Sequence, residues 1–194
     1  MTLGSRRVTR TVRLVAALGL VVLGAGCSSG GGEEVSTVYS ILRLNFPSWS
    51  AVSVRDLSPA LSGSWTAAHP KQNDLILTGD YFGRGSNAFA ALITKKDKLG
   101  KRVRLVVLRP AESGRFETFV LFTESPVDTF PVIQTSKANE YQVFLSGQSV
   151  TVPVEGVIYA HPDGKEKLFF WNEDRFADIE LADATSPDTT PTAP

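Results

Sequence analysis

AFAALITKKDKLGKRVRLVVLR, residues 88 to 109, decides the fold. Two runs within it, Ala88 to Thr94 and Val103 to Arg109, are apolar on both faces of a two-residue repeat, and between them lies KKDKLGKR, the densest basic stretch of the chain. A strand with one wet face alternates apolar and polar residues, whereas a strand apolar throughout is covered on both sides. The two runs are therefore expected to be central strands of one sheet, joined by a solvated hairpin loop over Lys95 to Arg102.

Working outward, further short apolar runs are punctuated by Gly, Pro, Asp or Lys: DLILT (Asp74 to Thr78), FETFVLF (Phe116 to Phe122), YQVFL (Tyr141 to Leu145), VTVPVEGVIYA (Val150 to Ala160), KLFFW (Lys167 to Trp171) and FADIEL (Phe176 to Leu181). In the last, Ala177, Ile179 and Leu181 share one face and Asp178 and Glu180 the other, as in a half-exposed strand. Connections as short as NEDR, Asn172 to Arg175, imply hairpins and hence antiparallel pairing. Before the strands, Val38, Ile41, Leu42 and Leu44 recur at helical spacing and stop ahead of Pro47. A second helical turn is expected over Leu57 to Leu61, with Ser58 as N-cap and Pro59 at the first helical position. Trp49 and Trp65 are expected to pack these helices onto the sheet. The fold class is α+β: a mainly antiparallel sheet with one or two short N-terminal helices against it.

The chain has 194 residues, 42% hydrophobic and 21% charged, which suits one ordinary domain. Its 20 basic and 20 acidic residues balance, but four of the arginines precede residue 14, and without them 16 bases face 20 acids, a net of about −4. That mild acidity argues against a nucleic-acid partner, which calls for a basic stripe.

The N-terminus has the three-part layout of a secretory signal: Arg6, Arg7, Arg10 and Arg13, then the uncharged run Leu14 to Leu23, then Gly24, Ala25 and Gly26 before Cys27. The apolar run is shorter than the roughly twenty residues a membrane-spanning helix needs. LGAGC, Leu23 to Cys27, resembles the lipobox of bacterial lipoproteins. The resemblance implies removal of residues 1–26, lipidation of Cys27 and a membrane anchor there; the alternative is a plain secretory peptide leaving Cys27 buried or free. Ser28 after the cysteine resembles the sorting signal for the outer membrane, facing the periplasm. SRR at Ser5 to Arg7 resembles a twin-arginine signal, but Thr9 and Arg10 stand where apolar residues would follow, and ordinary export is expected.

Cys27 is the one cysteine, so lipidation leaves the folded part without a thiol nucleophile, thiolate ligand or disulfide. Residues 27–34 are expected to be the lipidated cysteine and a flexible tether, 35–183 a single domain, and 184–194, rich in Pro and Thr, a disordered tail.

GDYFGRGSNAFAAL, Gly79 to Leu92, resembles the FG-GAP-like cation loop that precedes an Ala-rich strand. NFPSW (Asn45 to Trp49) and LFFWNEDRFADIELAD (Leu168 to Asp183) are similar to elements of uncharacterised secreted bacterial proteins that carry one such loop. The resemblance would place carboxylates at four positions occupied here by Asp80, Phe82, Arg84 and Ala88. One remains, and calcium wants six to eight oxygen ligands. The expectation is a degenerate loop that binds no metal, in which Arg84 pairs with Asp80, Phe82 packs beneath, and Gly83 and Gly85 make the turn.

No catalytic residue is assigned and no cofactor expected. His69 and His161 each precede a proline in separate loops, no G-x-S-x-G elbow is present within residues 35–183, and Glu173, Asp174, Asp178, Glu180 and Asp183 read as a solvated edge. The expected role is a non-enzymatic binding or structural module anchored at Cys27, with an envelope protein as partner. The alternative is a periplasmic hydrolase or enzyme inhibitor with its site in another arrangement.

Overall fold

The computed structural model describes residues 31–98, 100–111, 114–144 and 146–181. The expected signal segment 1–26, Cys27, and the tail 184–194 lie outside the described residues.

Helix α1 spans Gly31–Asn45. It begins four residues before Val35, so Gly31 to Glu34, expected in the tether, are helical. Once a packed turn exists downstream, each added residue gains a backbone hydrogen bond without a new nucleation cost. Val38 and Leu42, one turn apart, are buried on its inner face, while Leu44 is 66% exposed and falls outside the expected stripe. Phe46 N–H still reaches the Leu42 carbonyl at 2.8 Å, and Pro47 ends the helix.

Next come β1 (Ser50–Ala51), a 3-10 turn over Val54–Asp56, and α2 (Pro59–Ala68), which runs two turns further than expected. Ser58 is the N-cap with Pro59 first in the helix, but the Ser58 hydroxyl makes no capping bond. The first sheet contains β2 (Ile76–Gly79), β3 (Ala88–Asp97), β4 (Gly100–Pro110) and β5 (Phe116–Glu124) in the order β1-β3-β4-β5, with β2 also on β3. Downstream lie β6 (Val132–Ser136), β7 (Asn139–Gln142), β8 (Ser149–Val152), β9 (Gly156–Ala160), β10 (Glu166–Asn172) and β11 (Arg175–Glu180). The second sheet runs β11-β10-β9-β6, and β7 pairs with β8 as a separate ribbon. All these pairings are antiparallel, in accord with the expected α+β class.

The first sheet is a middle layer. On one face Phe89, Ala91, Ile93, Val106 and Leu108 meet Val38 and Leu42 of α1. On the other, Ala90, Leu92, Leu105 and Val107 meet Ile133, Val157, Tyr159 and Phe169 of the second sheet. Cover on both sides is why β3 and β4 carry apolar residues at successive positions.

Among the strands, several limits differ from those expected, and one strand is additional. The Lys95 to Arg102 segment is strand almost throughout, with Asp97 paired to Gly100, because charged side chains are tolerated where the hairpin projects beyond the core. VTVPVEGVIYA divides at Pro153, which has no N–H for a ladder, into β8 and β9. β7 stops at Gln142, and Val143 makes an isolated bridge to Leu181. The strand β6 was not anticipated: it follows Pro131 and carries Gln134 and Thr135 exposed at its middle.

Candidate functional site

The Asp80 loop connects β2 to β3. Asp80 Oδ1 accepts from the Arg84 N–H at 3.0 Å and Oδ2 from the Gly85 N–H at 2.9 Å. The expected pairing is thus corrected: Asp80 is satisfied by the Arg84 main chain, and no ion pair joins the two side chains. A short carboxylate reaches amides four and five residues on without ordering a long guanidinium chain. The Asp80 N–H in turn donates to Glu155 Oε2 at 2.7 Å, tying the loop to the segment before β9. Gly83 has φ 65°, and a Cβ there would meet Val154 Cγ1 at 2.5 Å, so both backbone and space require glycine.

Phe82 does pack beneath the loop, 5% exposed. Its ring lies 4.8 Å from Trp171, 5.4 Å from Phe176 and 5.5 Å from Phe119. The Arg109 guanidinium sits 4.5 Å over Phe82 and also bonds the Glu117 carboxylate. The aromatic box is therefore filled by the protein's own cation. Among the described residues no group of three His, Cys, Asp or Glu side chains is placed to hold a metal.

The histidines are more engaged than their loops suggested. His69 caps the C-terminus of α2 and stacks on Trp65 at 4.4 Å. His161 lies between two carboxylates, Nε2 at 3.3 Å from Glu124 Oε1 and Nδ1 at 2.7 Å from Asp163 Oδ1. Hydrogen bonds from Lys165 hold the Asp163 carboxyl well below its usual range. Burial, reinforced by the bond to Glu124, pushes the Tyr159 phenol well above its usual range. A base and its orienters are present, but among the described residues no serine or threonine hydroxyl bonds the ring. Asp178 and Glu180 flank Lys167, whose Nζ is 3.5 and 3.7 Å away, as a solvated strand face does.

A separate open cleft of about 480 Å³ lies where β1 begins. Trp49, Ser50, Lys95, Lys96, Lys101 and Phe130 line it, together with Asp56. Two segments distant in sequence, NFPSW and the basic run, converge here because Ser50 pairs with Thr94. The Arg104 guanidinium covers one face of Trp49 at 4.2 Å, and burial lowers its pKa. Lys101 Nζ stands 4.8 Å over the Phe130 ring. Asp56 is engaged in its turn by the Ser53 N–H at 3.1 Å, and Asp97 by Arg102 at 2.9 Å. None of Lys95, Lys96 and Lys101 pairs with a carboxylate among the described residues. Three lysines without an ion pair among the described residues, beside two aromatic rings, can attract an anion with apolar substance.

In comparison with known proteins, no family model, no curated protein and no solved structure matches the chain.

Proposed function

We propose that this chain is a non-enzymatic binding module of the cell envelope, anchored by lipid on Cys27, that takes an anionic ligand in the Trp49–Phe130 cleft. The observation that carries it is the set of Lys95, Lys96 and Lys101, unpaired with any carboxylate among the described residues, in a domain whose other charges are acid-rich. Uncompensated like charges gathered in one concavity raise the local concentration of anions there. Anchoring is supported by the run from Leu14 to Cys27, which has the layout of an export signal ending at a lipid-accepting cysteine.

The test uses the full chain in neutral detergent, titrated with poly-glutamate by calorimetry at two salt concentrations. Saturable binding that weakens with salt and is lost in the double variant Lys96→Glu/Lys101→Glu is expected. Binding that survives charge reversal, or no binding at low salt, overturns the cleft as an anion site. For the anchor, Cys27→Ser is expected to release the protein from the membrane fraction and block precursor cleavage.

A further inference from the structure

We infer that the ligand is an extended acidic peptide segment, which adds to the first sheet as a short strand along the free edge of β3 opposite Lys96. The inference rests on the anion-site reading and names the chemistry of its ligand.

The main chain carries it. Leu92 donates its N–H to the Leu75 carbonyl at 3.0 Å, and its own carbonyl accepts from the Val52 N–H at 2.8 Å, so both groups point away from β4. Strand geometry repeats every two residues, so Thr94 and Lys96 turn their main-chain groups to that same side. Thr94 meets Ser50 there, but β1 starts at Ser50. The turn closed by Trp49 N–H on the Phe46 carbonyl at 2.9 Å takes the chain off the edge before it reaches Lys96. No strand flanks Lys96 on this side among the described residues, and its N–H and C=O open into the cleft. A phosphate or sulfate would use the lysines alone; a peptide uses the lysines and completes the ladder.

The side chains agree. Lys96 is paired across the ladder with Lys101, at a position where the two strands exchange no hydrogen bonds and side chains stand closest. Like charges directly opposite destabilise a sheet, and an acidic residue inserted beside Lys96 reverses the sign of that contribution. Alternation places Lys96 with Lys101 and Phe130 on one face of the edge, and Lys95 with Trp49 on the other. An added strand therefore finds a cation and an aromatic ring on each of its faces. The lysines also deter purely apolar strands from this edge, so charge selects the partner.

The experiment titrates the full chain in neutral detergent with a capped hexapeptide of alternating Glu and Val, read by calorimetry and by amide hydrogen exchange at Lys96. Binding is expected to slow exchange of the Lys96 amide about tenfold or more, the loss of one hydrogen bond being worth about that factor. Lys96→Pro deletes the edge-facing N–H without touching the β4 ladder and is expected to weaken peptide binding about tenfold, while Lys96→Gln, which keeps the main chain, weakens it about threefold. Should the proline variant fold poorly, two peptides N-methylated at odd or at even residues replace it: one parity is expected to bind as before and the other to fail. If poly-glutamate and inorganic polyphosphate bind but the hexapeptide does not, or if Lys96→Pro and both methylated peptides leave its binding unchanged, the strand inference is overturned and the anion site stands. If none of the three probes binds, both are overturned.

Discussion

Truncating Phe82 to alanine tests whether aromatic packing, and not an ion, holds the Asp80 loop. The ring is 5% exposed and touches Trp171, Phe176, Phe119 and the Arg109 guanidinium. Burying such a side chain contributes roughly 1.5–3 kcal/mol by transfer alone, each edge-to-face ring pair adds about 0.5–1.5, and Phe→Ala in cores costs about 3–5 in total. An expected loss of about 4 kcal/mol follows, because the box has rigid walls on three strands, β5, β10 and β11, and cannot collapse onto an alanine. For a domain of this size that lowers the melting temperature by about 8–16 °C. In urea, with a slope of about 2 kcal/mol per M, the midpoint moves down by about 2 M. Tryptophan fluorescence follows both transitions, since Trp171 forms one wall of the box. Phe82→Leu, which keeps most of the volume, is expected to lose less than half as much. A loss in Phe82→Ala below about 1 kcal/mol, or one restored by calcium, refutes the packing account.

Asp80→Ala removes the acceptor of two loop amides and is expected to destabilise by about 1–2 kcal/mol, with millimolar calcium leaving the melting temperature of native and variant chains unchanged; saturable micromolar calcium binding that disappears in the variant would reinstate a metal site. The phenols of Tyr39, Tyr81 and Tyr159 are all raised, first by burial, and for Tyr39 and Tyr159 also by hydrogen bonds to Asp74 and Glu124. A raised folded-state pKa contributes stability that is complete below the unfolded value of about 10 and is lost as pH climbs above it. The melting temperature is therefore expected to fall above about pH 10, with phenolate absorbance at these tyrosines appearing together with unfolding; their ionisation near pH 10 in a still-folded domain would contradict it.

What could be read in the sequence was whatever one element decides by itself. Ala88 to Thr94 and Val103 to Arg109 announced two-sided burial because every position has to meet a neighbour, and Ala177, Ile179 and Leu181 announced one-sided burial by alternation. β6 gave no comparable signal, since Gln134 and Thr135 interrupt its pattern at the exposed middle. The Asp80 loop was legible in its glycines and in Phe82, but an arginine four positions from a carboxylate cannot be assigned by side chain or by amide until φ is known. The cleft was hidden more deeply. NFPSW and KKDKLGKR each stood out, but only a two-residue strand, too short to leave a pattern, joins them. Glu124 and His161 likewise meet only because β5 and β9 belong to facing sheets.

The early start of α1 sets how far the cleft can travel. In the lipid-anchored form proposed above, Cys27 and Gly31 are separated by four backbone steps, at most about 14 Å, and the fifteen residues of α1 rise about 22 Å. Adding the tight turn to Trp49 confines the cleft to within about 45 Å of the bilayer. One partner segment held in the half-sphere of that radius is present at an effective concentration of about 10 mM. A site offering two main-chain hydrogen bonds and three lysines, which a freely diffusing peptide fills only at the high concentrations of a titration, is filled at that concentration by a segment borne on the same membrane. In that proposed form the short leash selects neighbours by distance before the cleft selects them by charge.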